Sequence, residues 1–70
     1  MKIKDLKGIL YNQHGCPIQS TILWNFDDNK INEYACGTHE YIIQNYSHKE
    51  VKRIQTEIIK GQAVIVIETD

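Results

Sequence analysis

The sequence predicts an α+β fold, and three stretches predict it. Ala63-Val64-Ile65-Val66-Ile67 is an unbroken apolar run in which all but the first residue are β-branched. Such a run fits a pleated, buried strand better than a helix surface. Residues 18–26 alternate between apolar and polar side chains, the period of a half-buried strand. Gly37-Thr38, with Glu40 close behind, reads as a strand break, a helix cap and a first-turn carboxylate. The 63–67 run is therefore expected to be a central strand covered on both faces, with the rest of the chain arranged over it.

Residues 2–11 carry Ile3, Leu6 and Leu10 at i, i+3 and i+7, with Ile9 beside them. That spacing is one apolar stripe of a short helix. Gly8 within it costs about 1 kcal/mol relative to Ala, so packing must hold the helix. A strand reading of 2–11, turning at Lys7-Gly8, is the alternative. Gly15 and Pro17 end whatever precedes them.

In the first strand Ile18, Ile22, Trp24 and Phe26 share a face, while Gln19, Thr21 and Asn25 take the other, with Leu23 as the exception. Asp27-Asp28-Asn29-Lys30 is turn chemistry, because Asn and Asp tolerate left-handed backbone. A second strand over about 31–36 is expected to return antiparallel. A two-residue loop at Asp28-Asn29 would pair Phe26 with Ile31 and Trp24 with Glu33. A three-residue loop over 28–30 would pair Trp24 with Tyr34 and Ile22 with Cys36, and is preferred because it sets apolar against apolar. A slip of one residue reverses which side chains face the core.

Thr38 then caps a helix over about 39–45. Two readings of the next segment stand. Ser47-His48-Lys49-Glu50 matches a capping box, with Val51, Ile54 and Ile58 at helical spacing, which gives a helix over 48–60. The other makes 51–59 a strand, with Ile54, Thr56 and Ile58 on one face, hairpinned through Lys60-Gly61 into a last strand over 62–68.

Seventy residues make one domain, 1–70, without room for a second core. A chain this short buries only roughly 60% of its unfolded surface, so a partner or a homodimer would help. Eight basic residues against nine acidic leave a net charge of −1, which argues against a strongly basic nucleic-acid face. No apolar run approaches the ~20 residues that span a bilayer. Met1-Lys2-Ile3-Lys4-Asp5 is not the apolar core of a signal peptide. These features imply a cytoplasmic protein with Cys16 and Cys36 as reduced thiols.

Met1-Lys2-Ile3-Lys4-Asp5-Leu6, a glycine-marked break, Glu50-Val51-Lys52-Arg53-Ile54 and the apolar strand Ala63 to Ile67 follow one another along the chain. In this pattern the sequence resembles very small bacteriophage and prophage accessory proteins. The resemblance spans most of the chain, at the level of pattern. It implies that 51–59 is a strand, and thus a C-terminal β-hairpin in one antiparallel sheet with the first. It also implies a phage-encoded protein acting on host machinery, such as an anti-CRISPR or other anti-defence inhibitor. It carries no catalytic residue to transfer.

His14, Cys16, Cys36 and His39 form two short clusters of the ligand types that zinc takes in a tetrahedron. The one-residue gap between His14 and Cys16 is irregular for such a site, and the expectation is no metal and no cofactor. Nucleophilic catalysis would need Cys16 or Cys36 beside His14, His39 or His48. No orienting third residue or oxyanion hole is evident, so an enzyme is not expected. Lys49, Lys52, Arg53 and Lys60 make a local basic strip, but Glu50 and Glu57 interleave it, and a solvated face is favoured over a phosphate-contacting one. Trp24 and Phe26 alternate like core residues. The tyrosines are too many to bury with satisfied hydroxyls, and Tyr suits binding interfaces. The expectation is a non-catalytic protein-binding module with a host protein as partner. Its expected surface is Tyr41, Tyr46, Lys52 and Arg53. A small nucleic-acid-binding module using the 48–60 strip and a zinc-knuckle protein are the rival readings.

Overall fold

The computed structural model describes residues 1–10 and 15–70. In chain order they form a 3₁₀ turn, Ile3–Leu6, then β1, Ile18–Asp27, and β2, Lys30–Gly37. Helix α1, His39–Asn45, follows, and β3, Val51–Ile59, and β4, Gln62–Thr69, complete the fold. The strands make one four-stranded sheet in the order β2-β1-β4-β3. The α+β class is as expected, and 51–59 is a strand rather than a helix over 48–60.

The sheet is mixed, not all antiparallel. Both hairpins are antiparallel, but β1 and β4 run parallel side by side. The crossover explains this. α1 carries the chain from one sheet edge, β2, to the other, β3, and β4 then returns beside β1 in the same direction. Both hairpins close through two residues with left-handed backbone, Asp28 (φ 52°) with Asn29 (φ 63°) and Lys60 (φ 52°) with Gly61 (φ 78°). Turns with positive φ at both central residues match the right-handed twist of paired strands.

The β1–β2 register combines the two expected ones. Near the turn, Phe26 pairs with Ile31 and Trp24 with Glu33, as a two-residue loop requires. A bulge opposite Leu23/Trp24 then takes up one residue, and Ile22 pairs with Cys36. The preferred Trp24–Tyr34 pair does not form. The bulge lets Tyr34 and Ala35 both pack against the core, which a regular strand would forbid.

The N-terminal helix expected over 2–11 is a single 3₁₀ turn. The Asp5 amide donates to the Lys2 carbonyl at 2.9 Å, and Asp5 Oδ2 accepts from the Lys2 amide at 2.9 Å. The chain then leaves helical geometry, because the Leu10 carbonyl already accepts from the Ile18 amide at 2.8 Å. Ile3 and Leu6 are buried, whereas Leu10 is exposed. Backbone bonds from Ile3 to Lys49, Lys4 to Ser47 and Val51 to Met1 tie the turn to the approach to β3.

The core lies on one side of the sheet. Ile3, Leu6, Leu23, Ile42, Ile65 and Ile67 form it. The expected assignment of β1 faces is reversed at its centre. Leu23 and Thr21 are fully buried under α1, and Ile22, Trp24 and Phe26 point to the opposite face. The cause is a second bulge between Ile18 and Ser20 in the β1–β4 register. Ile18 still packs on the core, and the inserted residue puts Thr21 and Leu23 there in place of Ile22 and Trp24. β4 is central, as expected, but only one of its faces is covered by the 3₁₀ turn and α1. On the other, Val64 is flanked by Ser20 and Glu57 in the neighbouring strands.

Two outcomes test this assignment. Leu23→Ala should lose about 2–5 kcal/mol in denaturant unfolding, as buried Leu-to-Ala changes do, and Ile22→Ala clearly less. Equal losses would contradict the faces described. Ile65→Asp buries an unpaired carboxylate and should unfold the domain, read as loss of native circular dichroism.

Candidate binding face

The helix-side anchor is His39, the first residue of α1. Thr38 Oγ1 accepts from the Tyr41 amide at 3.1 Å, so the cap expected from the sequence forms. The cap aims the His39 ring into the core, where it is 6% exposed. Its Nε2 lies 3.1 Å from the Leu6 carbonyl, and its Nδ1 lies 3.0 Å from Thr21 Oγ1. A carbonyl only accepts, so Nε2 donates to Leu6 and Nδ1 pairs with the Thr21 hydroxyl. One side chain thus joins the 3₁₀ turn, α1 and β1.

That arrangement takes His39 out of the zinc constellation, since neither ring nitrogen is left for a metal. Cys36 is exposed and pairs with Ile22, on the face that His39 does not reach. Cys16 is exposed, and His14 lies outside the described residues. Among the described residues no group of three metal-ligating side chains comes together.

The expected partner surface is not brought together either. Tyr46 packs edge-on against Tyr34, with ring centroids 6.1 Å apart, and leans on the core. The Tyr34 hydroxyl in turn bonds Thr69 Oγ1. Tyr41 is about half exposed, yet its ring lies on Gly37, where an added Cβ would come within 2.9 Å of Cδ1. Lys52 is the extra residue of a bulge between Val51 and Arg53, and Arg53 is turned to the open face, where it meets Glu68. Lys49, from the basic strip, is held 5.5 Å above the Tyr34 ring.

The open face of the sheet carries what those residues lack. Trp24 and Phe26 meet edge to face, centroids 5.1 Å apart and planes at 81°. Phe26 is 59% exposed and its neighbour Ile31 68% exposed. A shallow groove crosses all four strands, floored by Ile22, Trp24, Val66 and Ile59 and edged by Glu33 and Glu57. At its end Arg53 Nε stands 3.4 Å from Glu68 Oε1. Glu68 is buried, and this oxygen makes no hydrogen bond, so the ion pair is its compensation among the described residues. The groove's charged edge is therefore acidic, with its nearest guanidinium already paired.

Sequence reasoning read Trp24 and Phe26 as core because they alternate. The alternation was real, but the face it marks is the open one. The signal that separates the two faces is Thr21, whose hydroxyl needs a buried partner and finds it in His39.

No protein-family model, characterised protein or solved structure matches the chain. Among the described residues no helix is long and apolar enough to cross a membrane.

Replacing His39 with Leu leaves the Leu6 carbonyl and Thr21 hydroxyl without their partner, each worth about 1–3 kcal/mol when buried. The expected result is a large loss of stability that Thr21→Val, added in the same chain, partly recovers. A chelator should leave the unfolding curve unchanged. Unfolding by chelator, or strictly additive losses in the double variant, would contradict this site.

Proposed function

We propose that the chain is a non-catalytic protein-binding module that docks through the open face of its sheet. The observation that carries the reading is the pair of half-buried Trp24 and exposed Phe26, set with Ile22, Ile31 and Ile59 on a face that no described element covers. Contiguous exposed apolar surface of this kind marks interaction sites, and aromatic anchors carry most of the energy at interfaces. The occupant is a protein surface with protruding apolar side chains flanked by Lys or Arg, which meet Glu33 and Glu57. The resemblance to phage accessory proteins supplies the setting, an inhibitor or modulator of a host defence protein in the host cytoplasm.

A nucleic-acid partner is disfavoured by the same geometry. The groove is edged by carboxylates, and two of the basic-strip residues are engaged, Lys49 over Tyr34 and Arg53 at Glu68. Tyr41, exposed on α1, lies apart from the groove and is a control position.

The test uses the single tryptophan as its reporter. Titration with a candidate host protein should shift Trp24 emission, and Phe26→Ala should weaken binding by ~2 kcal/mol or more. Tyr41→Ala should leave affinity unchanged. Binding that survives Trp24→Ala and Phe26→Ala together would overturn the face. Tight duplex binding that falls steeply with salt, with no protein partner, would overturn the function.

A further inference from the structure

β3 is the sheet edge that stands farthest from the helix layer. β4 pairs with one side of it; on the other no described strand pairs, and only at its start is it engaged, where the Val51 amide bonds the Met1 carbonyl. All of its residues after Val51 are exposed, including Ile54 and Ile58 on the side that α1 covers elsewhere. A long open edge is a template for another strand, and proteins blunt such edges with charge. β3 carries its charges in a particular order. Arg53 and Glu57 stand on the open face, two residues either side of Gln55.

We infer that this edge pairs with the same edge of a second copy, antiparallel, about a two-fold axis at Gln55. A two-fold antiparallel pair sets residues opposite one another symmetrically about its centre. The centre must be a residue, because only then do outward amides meet outward carbonyls on both strands. Centring on Gln55 places Arg53 opposite Glu57 of the second copy, and Glu57 opposite its Arg53. Gln55 faces Gln55, and Ile54 faces Thr56. Centring on Ile54 would put Arg53 against Gln55 and leave both charges unmatched. Centring on Thr56 would put Arg53 against Ile59 and Lys52 against Lys60. Directly opposed unlike charges stabilise a strand pair and like charges oppose it. The Gln55 centre is the one that matches both charges.

The monomer's own ion pair is compatible with this. Arg53 meets Glu68 through Nε, which leaves its Nη groups for the facing Glu57. The regular part of the edge is residues 53–57 and beyond, since a bulge between Val51 and Arg53 disturbs its start. The other edge, β2, suits self-pairing less. It is bulged, and a pair centred on Glu33 would oppose two carboxylates. Two-fold pairing at β3 keeps the open faces on the same side. It yields one eight-stranded sheet in which the two grooves adjoin, since Gln55, Glu57 and Ile59 line each groove. The joint is narrow, below the ~1,200 Å² of a standard stable interface. Association is therefore weak and concentration-dependent.

The experiment is sedimentation of the purified chain alone from the micromolar to the millimolar range, so it does not depend on the docking proposal. The wild-type chain should show a monomer–dimer equilibrium. Gln55→Glu and Gln55→Lys each place like charges on the axis, and each should weaken self-association by about ten-fold or more. Mixed in equal amounts, the two variants should associate as a heterodimer at least as well as wild type. Glu57→Arg should also dissociate the pair. Both positions are exposed, and circular dichroism verifies that each variant is folded. A wild-type chain that is monomeric at millimolar concentration overturns the inference. So does self-association strengthened by Gln55→Lys, which is the result of a Thr56-centred register, or a mixture no more associated than its components.

Discussion

The structure depends on one constraint: its helical layer is too small to cover its sheet twice. α1 has seven residues, about 10 Å of helix. The four strands span roughly 14 Å across, and the 3₁₀ turn adds two buried side chains, Ile3 and Leu6. All of that material lies on one side. His39 decides which side, because its two ring nitrogens tie the Leu6 carbonyl to the Thr21 hydroxyl and so turn the Thr21–Leu23 face of β1 inward. The richer apolar set on the same strand, Ile22, Trp24 and Phe26, is left facing out.

This ordering is unfavourable for an isolated chain. Burying Trp24 in place of Thr21 would remove more apolar surface from water, and seventy residues have little stability to spare. The polar bridge and the β1 bulge between Ile18 and Ser20 hold the less apolar face against the helix all the same. The half-buried Trp24 and exposed Phe26 on the open face are the basis of the proposed docking function. Under that proposal, Glu33 and Glu57 at the groove's edge favour a basic, apolar partner surface over phosphate. The proposed pairing of β3 edges is independent of that docking.

What was legible in the sequence was local. Thr38 announced its cap, Asp28-Asn29 and Lys60-Gly61 their turns, and the Ala63–Ile67 run its central strand, because each signal acts within a few residues. The bulges were not legible, since they arise from how neighbouring strands fit, and the one between Ile18 and Ser20 decides which way β1 faces. Two registers of the first hairpin looked exclusive, yet one bulge accommodates both. The 2–11 stripe looked helical, but only Ile3 and Leu6 are fully buried, Ile9 packs against the core part-buried, Leu10 is exposed, and the amides of Ile3 and Lys4 bond to residues 47–49. Tyr41 and Tyr46 drew attention as surplus tyrosines. Tyr41 is half exposed although its ring leans on Gly37, and Tyr46 packs on Tyr34, while Phe26, whose alternation reads as core, is exposed.

The central claim is the orientation of β1. It is tested most directly by solvent paramagnetic relaxation of side-chain resonances in the chain alone, with a soluble gadolinium probe. Strong relaxation of Phe26 and Ile31 and measurable relaxation of Trp24, with Leu23, Ile65 and Ile67 silent, is the predicted result. Silent Trp24 and Phe26 with a relaxed Leu23 would show the opposite face to be the core and would contradict the account.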